Sequence, residues 1–193
     1  MIEILRTVVN FLISLFSGEL PFVYYVWIIT LFLIQITQST LNYKLFNKKG
    51  NFSTYISEGL LAFIILLFGG ILVSKLLAYI IDDPTISMTN LTHYFVSLII
   101  LTIFVVITCV KDFIETSIKN KNISLLSFLV ISLITSILSF KFLSPLIEGS
   151  FSLSKSFITT LIILVTISIP LLISLEDKYA DEGKRKIYSF SFT

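Results

Sequence analysis

Charge is what this 193-residue sequence has least of: 13% of its residues are Asp, Glu, Lys or Arg, where a soluble domain carries roughly 25%. It has one cysteine (Cys109), one histidine (His93) and one tryptophan (Trp27). Each scarcity excludes something. A single thiol forms no internal disulfide. One histidine cannot hold a haem from both sides, and one histidine with one cysteine falls short of the ligand set a zinc site uses. A formal net charge of +2 leaves no basic face for nucleic acid. No glycine-rich phosphate loop, H-E-x-x-H or G-x-S-x-G occurs. No cofactor, metal or catalytic constellation is expected.

What the sequence does have is apolar surface. Hydrophobic residues make up 55% of it, and the mean hydropathy is +0.97. A chain this short has too little interior to hide that much apolar surface from water. A lipid bilayer is therefore its expected solvent and first partner. Residues 1–193 read as one membrane domain, with no room for a separate soluble catalytic domain.

The expected fold is all-α: a polytopic transmembrane bundle of five spans preceded by an amphipathic helix. In residues 2–17, Glu3, Arg6, Thr7, Asn10, Ser14 and Ser17 fall on one side of a helix, and Ile4, Leu5, Val8, Leu12 and Leu15 fill the rest. The apolar run from Val8 to Phe16 is too short to cross a bilayer, so this helix is expected to lie in the interface. A signal peptide fits less well, because Glu3 sits in the would-be basic region and no A-x-A-like site follows. A third reading makes the segment the first half of a longer, bent helix. The spans are expected at about 21–41, 56–81, 92–110, 123–143 and 157–175, with a tail at 176–193. Tyr24, Tyr25 and Trp27 cluster at the start of the first, as aromatics do at a membrane–water boundary.

Lysine and arginine placement predicts orientation. With five spans, Lys44, Lys48, Lys49, Lys111, Lys119, Lys121, Lys178, Lys184, Arg185 and Lys186 share one side, against Arg6, Lys75, Lys141 and Lys155 on the other. The N-terminus is then outside and the tail cytoplasmic. Ser97–Leu101 echoes Thr160–Leu164, but in so apolar a composition this is no sign of duplication.

Few residues could carry chemistry. His93 and Cys109 stand at opposite ends of one helix, roughly 24 Å apart, and cannot act as a pair. Asp82, Asp83 and His93 share the outer face, where a solvated acidic loop is the plainer reading than a metal or proton site. Glu58 lies in the first turn of the second span, suited to anchoring at the interface or to an ion vestibule. Lys75 can carry its ammonium to the headgroups on its long stem. No charge is expected at the bilayer centre, which argues against a proton pump.

Small and hydroxyl residues occupy the middle of the membrane instead. Ser132, Thr135, Ser136 and Ser139 form one stripe, and Ser156, Thr159, Thr166, Pro170 and Ser174 another. His93, Ser97 and Thr108 share a side of the third span, and Glu58, Ala62 and Gly69 a side of the second. Such stripes either pack helices closely or line a weakly polar conduit. Gly69-Gly70 reads as a tight packing point or a hinge, and Pro170 as a kink. In the tail, Lys184, Arg185 and Lys186 precede Tyr188, Phe190 and Phe192, alternating with serines. They rest in the interface or dock a partner. Three N-x-S/T triplets occur, of which only Asn90 falls on the expected outer side.

Two functions remain open. One is a small channel or pore-forming protein, expected to be a homo-oligomer because five short-looped helices enclose little space. The other is an accessory or structural subunit of a larger membrane complex, docked through its tail. An enzyme acting on lipid ranks third, since nucleophile and acid–base candidates share no common depth.

Overall fold

The computed structural model describes residues 2–45, 52–81, 90–118, 120–143, 153–168 and 171. These residues form α-helices: α1 (Ile2–Ser17), α2 (Phe22–Leu45), α3 (Phe52–Ile81), α4 (Asn90–Ser117), α5 (Lys121–Leu143) and α6 (Lys155–Ser168). Four of them, α2 to α5, are long and apolar enough to cross a membrane, through Phe22–Leu41, Gly59–Ile81, Asn90–Lys111 and Asn122–Leu143. The protein is a helical membrane protein.

The expected fifth span differs. The α6 helix has 14 described residues, about 21 Å of helix against a hydrocarbon thickness of about 30 Å. The remainder of 157–175 lies outside the described residues, apart from Leu171. Helices also run further into the polar connections than the hydropathy pattern suggests. The second helix reaches Leu45 and the fourth reaches Ser117. Lys, Glu and similar straight-chain residues are good helix formers, so the end of the apolar run does not end the helix.

Local chemistry sets the helix ends. Gly18 adopts a left-handed φ of 80° just past α1, and the Glu19 amide donates back to the Ser14 carbonyl at 3.1 Å. A glycine tolerates this conformation at no steric cost, so α1 ends here and the chain turns into α2. Asn120 caps α5 by accepting the Asn122 amide at 3.1 Å, and Ser154 caps α6 by accepting the Phe157 amide at 3.2 Å.

The bundle is organised around α4. Thr92 to Leu101 are buried at ten consecutive positions, which is possible only for a helix enclosed on every side. It packs on α1, α2, α3 and α5. The antiparallel register with α3 is fixed by Ser74 meeting His93 and Gly70 meeting Ser97. The α2 helix runs parallel to α4: Tyr24 donates to the Leu91 carbonyl at 3.1 Å near one end, and Gln38 meets Thr108 near the other. Phe157, Leu161 and Val165, one face of α6, belong to the same buried cluster.

The distribution of polarity is inverted relative to a soluble bundle. On α5, Ser124, Ser132, Ser136 and Ser139 are buried, whereas Leu126, Val130, Leu133, Ile134, Ile137 and Leu138 are exposed. In water this arrangement would be penalised. In lipid it is favoured, because apolar side chains face acyl chains while small polar ones let helices approach.

Candidate functional site

The polar side chains of the spans gather along α4 and on the inner face of α5. On the α3 side, Ser74 Oγ lies 2.9 Å from His93 Nδ1, with both side chains buried. One turn along, Ser97 Oγ donates to the Leu67 carbonyl. Gly70 makes this approach possible: a Cβ built there would lie 2.7 Å from Ser97 Oγ and 3.0 Å from its Cα. Gly69, the expected partner of Gly70 in a hinge or packing point, behaves differently. Nothing lies within 4 Å of a Cβ built on it. Adjacent helical positions point about 100° apart, so only one of the two glycines can face α4.

On the α2 side, the Trp27 indole donates to Thr102 Oγ1 at 3.0 Å. Gln38 Oε1 accepts from Thr108 Oγ1 and from Cys109 Sγ, each at 3.3 Å. Gln35 and Ser39, one turn apart near the end of the span, are buried against α3 at Gly59, whose position brings a built Cβ to 2.8 Å from Ser39 Oγ. Gln35 Oε1 has no hydrogen-bond partner. These amides and Ser39 went unread in the sequence. Their signal is Gln35-x-x-Gln38-Ser39, amide and hydroxyl groups at helical spacing inside an otherwise apolar run. His93 and Cys109 are thus held separately, one to α3 and the other to α2.

The serine stripe of α5 forms as expected in one respect: Ser132, Ser136 and Ser139 are buried together and Thr135 is half-buried beside them. The stripe faces into the chain's own bundle. Ser132 and Ser136 are fully buried, and neither hydroxyl has a hydrogen-bond partner. Hydroxyls enclosed in an apolar medium without a partner are disfavoured by about 1–3 kcal/mol each. Native structures usually resolve this with water.

The second stripe does not act as a unit. Ser156 and Thr159 are exposed, while Thr166 is half-buried with an enclosed, unpartnered Oγ1. The side of α6 that enters the core is Phe157, Leu161 and Val165, nearly opposite, because those larger side chains gain more from packing. Pro170 and Ser174 lie outside the described residues, as do Asp82, Asp83 and the tail residues Lys184, Arg185, Lys186, Tyr188, Phe190 and Phe192. Glu58 belongs to α3, with its side chain outside the description. Among the described residues, no three His, Cys, Asp or Glu side chains group as metal ligands would.

The site is therefore a central helix, α4, whose polar side chains find partners on α2 and α3, with unpartnered polar atoms at Gln35 of α2 and at Ser132 and Ser136 of α5. No curated protein and no solved structure matches the chain. A family model covers residues 1–175, and the chain belongs to that family, a family of unknown function (DUF5823).

Proposed function

We propose that the protein is a non-enzymatic, channel-like membrane protein in which the solute path follows the serine face of α5 within each chain. The observation that supports this reading is the pair of enclosed hydroxyls at Ser132 and Ser136, which lack partners in the membrane interior. Ser124 and Ser139 continue the same face over about 22 Å. The path is closed in this conformation, and opening requires α5 to part from α4. A homo-oligomer then multiplies paths instead of enclosing one.

The proposal carries five spans, the fifth at about 157–175, with α1 in the outer interface and the tail in the cytoplasm. The clustering of basic residues in the connections after α2 and α4 supports this orientation. Labelling position 48 and the carboxyl end from opposite faces of a sealed vesicle would refute it.

The test is reconstitution into liposomes, with flux of water, glycerol and urea followed by light scattering and ion flux followed by conductance. Flux above that of empty liposomes is expected. Combining Ser132→Leu with Ser136→Leu should return it to background while the protein remains folded. Background flux under all conditions would overturn the proposal. The enclosure of α4 over ten consecutive residues favours a second reading, a packed structural subunit of a larger membrane complex. Co-purification of a stable set of unrelated proteins, together with background flux, would support that reading.

A further inference from the structure

The α1 helix meets four different surroundings. At about 100° per residue, Thr7 and Phe11 occupy one quadrant and are buried against the bundle. Leu5, Val9, Ile13 and Phe16 occupy the opposite quadrant, and all four are exposed. Arg6 and Ser17, both exposed, and Asn10 fill a third quadrant, and the half-buried Val8, Leu12 and Leu15 the fourth. A helix lying in the plane of one leaflet, beside a bundle, needs this arrangement: protein, bilayer interior, lateral lipid and water at successive quarter turns.

The attachments of α1 agree with such a lie. Tyr94 donates to the Thr7 carbonyl at 3.3 Å, and Tyr25 donates to the Ser14 and Leu15 carbonyls at 3.1 and 3.0 Å. Tyr94 and Tyr25 stand near the starts of α4 and α2, and the Tyr24–Leu91 bond places those two starts at one level. The stretch of α1 between its ties, about 12 Å long, therefore lies across the bundle and not along it. Phe11 is the only ring that α1 sends inward. It packs edge-on between Tyr94 of α4, with ring centroids 4.8 Å apart, and Phe68 of α3, at 6.2 Å. Beyond the Gly18 turn, Phe22, Val23, Val26 and Ile29 of α2 are exposed as well. Arg6 adjoins the water quadrant, where a lipid phosphate would complement it.

We infer that α1 is a docking surface for one lipid leaflet, and that the packing of that leaflet sets how firmly Phe11 clasps α3 to α4. This rests on the interfacial placement of α1 proposed above. The exposed stripe lies opposite Phe11, so a displacement of α1 into loosened lipid withdraws the ring straight from its seat. Conical lipids such as diacylglycerol open space for bulky apolar side chains at the headgroup boundary and draw the stripe outward. The outer half of α4, including Thr92, His93 and Ser97, then loses its cover.

Two measurements on the full chain in nanodiscs separate the placement from the clasp. In a Cys109→Ser background, spin labels at positions 5, 13 and 16 should share one shallow depth and be accessible to oxygen, while labels at 6 and 10 should be accessible to a water-soluble nickel chelate. A depth that increases steadily from 5 to 16 would overturn the placement, and the clasp with it. The second measurement is hydrogen exchange of residues 92–101 in phosphatidylcholine with and without diacylglycerol. Exchange should be at least about threefold faster with diacylglycerol, and Phe11→Ala should abolish the difference by making exchange fast in both. Tyr94→Phe keeps the ring and loses only the bond to Thr7, so it should give an intermediate response and serves where Phe11→Ala does not fold. Unchanged lipid dependence in these variants, or none in the native protein, overturns the clasp while leaving the placement intact.

Discussion

The two flanks of α4 solve the same problem in different ways. Toward α3, every turn that carries a polar side chain supplies a partner: Ser74 for His93, and the Leu67 carbonyl for Ser97, with Gly70 letting the backbones close. On α5, which packs on α4, Ser132 and Ser136 are as deeply buried and have no partner. Interhelical hydrogen bonds in membranes contribute about 0.6 kcal/mol on average and up to about 1.7 kcal/mol, so the first flank is cemented only modestly by them. Close packing at Gly70 contributes the rest. The second flank gains nothing from its hydroxyls as they stand. The difference teaches that deep burial in this bundle does not by itself bring a partner: one flank satisfies its polar groups within the protein and the other leaves them unsatisfied.

Substitutions can break or sharpen this contrast. The largest effect is expected at Gly70. Its Cβ would meet the Ser97 backbone, which cannot yield as a flexible side-chain tip could. Gly70→Ala should lower stability by about 1–3 kcal/mol, measured by unfolding in mixed detergent micelles, whereas Gly69→Ala should change it little. Equal effects at the two glycines would mean that α3 is rotated from the orientation described. Ser74→Ala ranks next. It strands His93 Nδ1 and should cost about 0.6–2 kcal/mol in the same assay. The smallest effect on stability is expected from Ser132→Ala with Ser136→Ala, between neutral and about 1 kcal/mol stabilising, because each removes an unpartnered buried hydroxyl. The same double variant should nonetheless reduce flux in liposomes, which separates a lining role from a packing role. A loss of stability as large as that of Ser74→Ala would show that these serines have partners after all, and would erase the contrast between the flanks.

Much of the fold was legible in the sequence. The four long spans begin and end within three residues of the positions that hydropathy and the polar breaks indicate. The serine stripe of α5 was readable because four small polar residues recur at helical spacing among Leu and Ile. On α6 periodicity shows which residues share a face without saying which face enters the core. There Phe157, Leu161 and Val165 outweighed the threonines. The amides of α2 were overlooked because a search for charges and hydroxyls passes over glutamine. Yet Gln35 and Gln38 are among the most polar groups that α2 turns inward.

The sequence by itself determined the solvent of this protein, its helical class and the extent of its four long apolar spans. Those properties follow from hydropathy and from backbone hydrogen bonding within each segment, and both are local. Only the tertiary structure decided that α4 sits at the centre, that Gly70 and not Gly69 meets it, and that the α5 serines turn inward. Those outcomes depend on how helices rotate and pair, and in lipid no hydrophobic force between helices sets that choice. It rests on the fit of small side chains and on hydrogen bonds between residues far apart in the chain.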